Sequence, residues 1–375
     1  MRILITNSTV AWRSGTELYV RDLACGLLER GHTPVVYTPK IGPLAQELRD
    51  KTVPVTDRLD SITVPPDIIH GQHNLETMTA LLHFTQTPAI FVVHDNLSRQ
   101  DVPPHFPRIL RYVAVDHTCR DRLVFEHGIP EESTRVVLNS VNLAAFKPRS
   151  PLPPRPRRAL IFSNASSTHF AAVREACAQS GLELDVLGHD SGNVCSKPEE
   201  VLGQYDIVFA KARCALEALA VGAAVVLCDF RGVGPMVTTG ELDDLRRLNF
   251  GHRTLRSEIR PDVIAREIAR YDAADAAEVS RRIRAVAGFD LMLDEITALY
   301  SEVTEEYATS PKTDAEAELR AAANYLHWLT LRLNEKRGAI NNSAVRRFGK
   351  RLLGVPLVGP LAHALGRKLL TPRPR

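Results

Sequence analysis

Within the run Tyr205–Cys228, YDIVFAKARCALEALAVGAAVVLC, one carboxylate and two cations stand in apolar company: Glu217, Lys211 and Arg213. Ile207–Phe209 and Ala224–Leu227 are short apolar runs of the kind buried in a parallel sheet covered on both faces. Between them lies a helix of small residues, which Glu217 is expected to open, with the two cations in the turn before it. A carboxylate on a helix packed onto a sheet needs a polar partner, because burying it alone is costly. In open α/β sheets, ligands bind at the carboxyl edge of the strands, where this turn sits. Two cations and one acid there suit a phosphorylated ligand that also carries hydroxyls. A purely structural account stays open: a glutamate favoured by the helix dipole beside a solvated basic turn.

Other positions at expected strand ends could join them. Ser14-Gly15-Thr16-Glu17 reads as a capping box with a glycine that lets backbone amides approach a ligand at a helix N-terminus. Gly15 and Thr16 are therefore expected to line a cleft, although capping alone explains Ser14 and Glu17. His94 and Asp95 end the run AIFVVHD, where an imidazole beside an acid could serve as a general base or an orienting donor. His70, in DIIHGQH, ends another strand, with His73 close by; structural and functional roles are equally open for both. Gly232-Val233-Gly234-Pro235 is expected to be a loop opening a helix, its amides free for phosphate or sugar hydroxyls. Ser163 and Asn164 end the strand LIF at the same edge. No Asp-x-Asp pair is present, so no metal is expected.

These residues need a scaffold, and the chain supplies one twice. The strand candidates Ile3–Ile5, Val35–Tyr37, Ile68–Ile69, Ile90–Val93, Val113–Val115 and Val136–Leu138 alternate with helical segments, such as Glu17–Arg30, which stops at Gly31. A second series runs through Ala159–Phe162, Leu184–Leu187, Ile207–Phe209 and Ala224–Leu227. Between the two, FKPRSPLPPRPRR holds five prolines and five basic residues and reads as an extended linker. The fold expected is α/β, with two Rossmann-like doubly wound parallel sheets facing a cleft. The divisions are 1–148, a linker at 149–158, a second domain at 159–310, and a helix with a basic amphipathic tail at 311–375.

The chain has 375 residues and is 44% apolar, enough for two domains. Its net charge of +3 hides an asymmetry: residues 336–375 carry ten Lys or Arg and no acid, leaving 37 basic against 44 acidic residues before them. A mildly acidic body does not suit nucleic acid, whereas the tail suits an anionic surface. Leu352–Leu365 is too short to cross a bilayer and contains two prolines. A peripheral lipid anchor and a tail packed on the body stay equally open. Six scattered cysteines and no visible secretory signal point to a cytoplasmic protein, at the inner membrane face if the tail binds lipid. A nicotinamide enzyme is disfavoured, because no G-x-G-x-x-G follows the first strand.

Glu217, Ala218, Ala220 and Gly222 resemble the donor-binding signature of family-four glycosyltransferases, two-domain enzymes of the GT-B fold. The resemblance spans roughly 1–300 and includes Gly15 through Gly31-His32, the strand ending at His94, and Gly128-Ile129-Pro130. It implies transfer of a sugar from a nucleotide-diphospho-sugar to a glycan, lipid-linked or small-molecule acceptor, in polysaccharide biosynthesis, with retention of configuration and no further cofactor. It also implies that Glu217 holds the ribose hydroxyls and that His94 contacts the donor sugar. Asn139 and Phe146 fall in an element that the resemblance makes architectural. The chain departs from the family twice. Phe209 stands where a first glutamate is usual, and Ser163-Asn164 stand where Gly-Arg is usual; Lys211 and Arg213 are expected to supply the missing charge. These departures keep an alternative alive, a catalytically silent nucleotide-sugar-binding subunit of a polysaccharide assembly complex.

Overall fold

The computed structural model describes residues 1–163, 169–188, 192, 193, 195, 197–310 and 314–353, with side chains of the last helix described as far as residue 335. Seven strands, β1 (Arg2–Thr6), β2 (Thr33–Tyr37), β3 (Val55–Thr56), β4 (Ile68–Gln72), β5 (Ala89–Val93), β6 (Ile109–Ala114) and β7 (Thr134–Val136), form a wholly parallel sheet in the order β3-β2-β1-β4-β5-β6-β7. Five more, β8 (Arg158–Phe162), β9 (Glu183–Leu187), β10 (Ile207–Ala210), β11 (Ala224–Asp229) and β12 (Gly232–Met236), form a second sheet in the order β12-β11-β10-β8-β9. The central strands are buried along their length, as continuous apolar runs between helical layers must be. Two such α/β halves are the GT-B arrangement.

One expected loop is a strand. Gly232–Met236 pairs antiparallel with β11 and does not open a helix. Its glycines are required by close approach. A Cβ at Gly234 would lie 2.7 Å from the Thr254 carbonyl, and one at Gly232 would lie 3.0 Å from the carbonyls of Leu255 and Ser257. The Val233 N–H is taken by the Ser257 carbonyl at 2.9 Å. Gly232 and Gly234 thus serve a strand packed against 254–257, which corrects their expected role as a free amide cradle.

The helix after β10 spans Ala212–Val221, so Glu217 sits in its middle and does not open it. Ala215, Ala218 and Ala220 are fully buried, and such small residues let the helix lie close to the sheet. Gly222, at φ 100°, ends it in the left-handed conformation that favours glycine, with the Ala223 N–H returning to the Ala218 carbonyl at 3.1 Å. Residues 261–309 hold three helices, and the last, Phe289–Thr309, crosses to the first sheet. Val141 and Gly288 bridge at the crossover. Gly26 permits the contact, since a Cβ there would meet Phe289 and Leu293 at 2.7 Å, and Arg111 fixes the far end on Glu302 and Glu306 at 2.6 and 2.5 Å. Both sheets belong to one compact unit, and helix Ala315–Leu353 belongs to a second. Among the described residues, no helix is long and apolar enough to cross a membrane.

Candidate functional site

The carboxyl ends of the two sheets enclose a cavity of about 330 Å³. Ser14, Gly15, Thr16, Tyr19, Asp22, His94 and Asp95 line it from the first half, and Ala212 and Arg213 from the second. Sequence reasoning expects Gly15, Thr16, His94 and Arg213 at a cleft, and the structure brings these four together.

The glycine loop is shaped from below by Glu17, which is 1% exposed. One of its oxygens accepts from the N–H groups of Ala11 and Trp12, both at 2.9 Å, and the other from Ser14 at 3.1 Å. Three charge-assisted bonds leave this loop little freedom. A Cβ at Gly15 would meet nothing within 4 Å, so the protein itself does not require glycine there.

His94 packs edge-on against Tyr19, with ring centroids 4.6 Å apart. Burial, helped by His73 and His70, lowers its pKa to about 3. Its Nε2 is buried and has no protein partner. A neutral ring of this kind is a weak base at physiological pH but a ready hydrogen-bond donor or acceptor. His70 does not reach the cavity. It is 0% exposed, its Nδ1 lies 2.6 Å from the Tyr300 hydroxyl, and its ring stacks on Tyr19 at 5.9 Å. The expectation of a cleft-lining His70 is therefore corrected: it supports the residues that line the cleft. His73 is a loop anchor, accepting from the Ser8 N–H at 3.0 Å.

On the second wall the two cations diverge. Arg213 binds Glu217 through Nε at 2.8 Å and reaches across to Asp22 at 2.7 Å. Burial raises the Glu217 carboxyl above its ordinary range, and Arg213 opposes that rise. Lys211 turns away to Asp229, which is 1% exposed, at 2.7 Å, with both ring nitrogens of His252 at 3.4 Å. Lys211 and Arg213 are expected to supply charge together at the diphosphate; the structure instead divides them between two separate ion pairs. The reason is that a carboxylate as buried as Asp229 takes the nearest cation. Ala212, between them, adopts φ 51°, and Asn249 and Phe250 in the facing loop adopt 52° each. Non-glycine residues held in that region store roughly 1–3 kcal/mol apiece. The Ala212 N–H donates to the Phe250 carbonyl at 3.0 Å, so the strained segments brace each other.

Ser163 ends β8, with its N–H on the Leu187 carbonyl at 3.1 Å; Asn164 lies outside the described residues. Gly234 lines a different cavity of about 680 Å³, between the 117–121 helix of the first half and β12. Among the described residues, no cluster of three His, Cys, Asp or Glu is placed to hold a metal ion.

Sequence reasoning misses Tyr19, Asp22 and His252. The first two carried a signal, because Gly15, Tyr19 and Asp22 follow i, i+4, i+7 spacing and share one helix face with the loop glycine. His252 carried none, since its loop is placed by tertiary contacts.

Comparison with known proteins bears on the fold. Residues 13–145 match the family model described as Glycosyltransferase Family 4. The fold is similar to that of a glycosyltransferase from Rickettsia africae, at 16% identity and a TM-score of 0.56, covering 80% of this chain and 98% of the other. It is also similar to HepE from Anabaena, solved with UDP and glucose, at 15% identity and a TM-score of 0.59, covering 80% and 100%. The lipopolysaccharide outer core galactosyltransferase WaaB is a third, at 14% identity and a TM-score of 0.52, again covering 80% and 100%. No curated protein matches the chain in sequence.

Proposed function

We propose that this chain, whose residues 13–145 match the family-four model, is a glycosyltransferase that moves a sugar from a nucleotide-diphospho-sugar to an acceptor in the cleft. The observation that supports this most is the single cavity shared by the Gly15 loop, His94 and Arg213. The donor lies against the second half, with its ribose toward Glu217 and its diphosphate near Arg213 and the Gly15 amides. HepE was solved with UDP-glucose, which makes UDP-sugars the first donors to try.

Arg213 is fixed by two carboxylates before any ligand arrives, so its charge is preorganised. A leaving diphosphate gains negative charge in the transition state, and a fixed guanidinium stabilises that change more than a mobile one would. His94, held neutral, donates to a hydroxyl of the sugar and positions it rather than taking its proton. We place retention of configuration and transfer without a metal in this reading, with the phosphate charge met by Arg213 and helix amides. No cofactor is needed beyond the donor. The acceptor in this reading is a glycan, a lipid-linked compound or a small molecule in polysaccharide synthesis, and the basic segment 336–375 would hold the enzyme on anionic lipid at the cytoplasmic face.

Incubating the purified protein with a panel of nucleotide sugars tests the reading. It predicts slow release of nucleoside diphosphate, faster with an acceptor and unchanged by a chelator. No release from any donor would count against it. Co-sedimentation with anionic vesicles, with and without residues 336–375, tests the tail.

A further inference from the structure

Two buried arginines in the first unit are treated very differently by their surroundings. Arg108, 0% exposed, donates to the carbonyls of Leu81, Phe84 and Thr87 at 2.6, 2.9 and 2.7 Å, closing the end of helix Asn74–His83. Arg246 is 8% exposed, yet it has one carbonyl, that of Asn139 at 2.5 Å, and one amide oxygen, that of Asn249 at 3.3 Å. Its Nε is buried without a partner. Burial alone lowers its pKa, to about 10, and no carboxylate contributes. The guanidinium is therefore still charged at neutral pH, in a setting where an uncompensated charge is expensive.

Arg246 also lines a cavity of about 260 Å³. The remaining walls are largely apolar, with Val136 and Leu138 from the first half and Val286 and Leu291 from the crossover; the last two are 64% and 52% exposed. Ser140 and Met292 line both this cavity and the 330 Å³ one, so the two adjoin. Glu295 stands at the same cavity, and burial raises its carboxyl above the ordinary range. A cation short of acceptors, an apolar wall and a passage to the reaction site form a combination that a plain structural arginine does not require.

We infer that the cavity at Arg246 is an anchoring subsite for the acceptor and takes an amphiphilic anion, a phosphate or carboxylate joined to a hydrocarbon. The anionic group meets the Arg246 guanidinium, and the hydrocarbon leaves along Val286 and Leu291. The word acceptor rests on the glycosyl-transfer reading, whereas the ligand chemistry rests on the cavity alone.

Calorimetric titration with decyl phosphate, decanoate and neutral decyl glucoside tests this on the whole protein. The first two should bind and the third should not. The ratio between decyl phosphate and decanoate says which anion the site prefers. Arg246→Met, which keeps the side chain's bulk, should weaken the anions about ten-fold or more, and Glu295→Gln should strengthen them by removing a like charge. Equal binding of the glucoside, or undiminished binding by Arg246→Met, would overturn the assignment. If Arg246→Met does not fold, Glu295→Gln decides, and unchanged or weaker anion binding there counts against it. Titrating the same proteins with a nucleotide sugar separates the two ideas. Anion binding without donor binding would sink the transferase reading and leave the cavity assignment standing.

Discussion

The two walls of the cleft follow opposite electrostatic plans. Beside Asp95, the first wall meets the cavity with a neutral ring and a bare loop: burial lowers His94 to about 3, and the loop glycine faces open space. The second wall is built of charges already matched, Arg213 with Glu217 and Asp22, and Lys211 with Asp229. A neutral wall can exchange hydrogen bonds with sugar hydroxyls without attracting the wrong ion. A wall of preset pairs can meet phosphate without reorganising its own cations. On the proposed reading, His94 serves the sugar and Arg213 the phosphate, so substitutions at these two residues should affect different steps.

The largest effect should follow removal of the shared carboxylate on the charged wall. Glu217→Ala is expected to weaken donor binding about 100-fold, because Arg213 loses its positioning partner and the ribose its acceptor. Fluorescence titration with a nucleotide sugar checks this, and an acceptor-only assay should be unmoved. Next, His94→Ala on the neutral wall should lower kcat roughly 10- to 100-fold with little change in donor affinity. Its residual pH profile should keep the wild-type shape between pH 5 and 8, since His94 is uncharged throughout that range. A lost inflection near 6.5 would show a titrating base instead.

The glycines sharpen the contrast further. Gly234→Ala should cost about 2–3 kcal/mol in denaturant unfolding, because its Cβ meets backbone at 2.7 Å. Gly15→Ala should leave stability within roughly 0.5 kcal/mol and slow turnover. Equal stability losses would contradict the assignment of one glycine to structure and the other to ligand.

The last effect depends on pH and concerns Asp101, 2% exposed behind the His94 loop. Burial raises its pKa to about 7. A carboxyl raised on folding stabilises the fold below its unfolded pKa of ~4, and that contribution is lost as pH climbs through 7. Asp101→Asn should therefore flatten this decline, by at most about 4 kcal/mol on the full shift and less once the protein relaxes. Thermal unfolding at pH 5 and pH 8 measures it.

Much of the scaffold can be read from the chain, because buried parallel strands such as Ala89–Val93 and Ile207–Ala210 appear as apolar runs, and ten of the twelve described strands overlap a segment expected as a strand. The two that escape have physical reasons. Val55–Thr56 is a two-residue edge strand, and Gly232–Met236 carries glycines and a proline that mimic a loop. The site is less legible. Gly15 and His94 stand out because strand ends concentrate ligand contacts. His252 does not, because its loop is placed only by folding, and Asp22 shows only through its helical spacing from Gly15. The direction of Lys211 was equally hidden, since it is decided by Asp229 on the neighbouring strand.

Calorimetry of a nucleotide sugar with the wild-type protein and Arg213→Gln tests the central claim most directly. The account predicts measurable binding to the wild type and a loss of about 100-fold or more in the variant, with the melting temperature changed by only a few degrees. Unchanged affinity in a folded Arg213→Gln protein would contradict it.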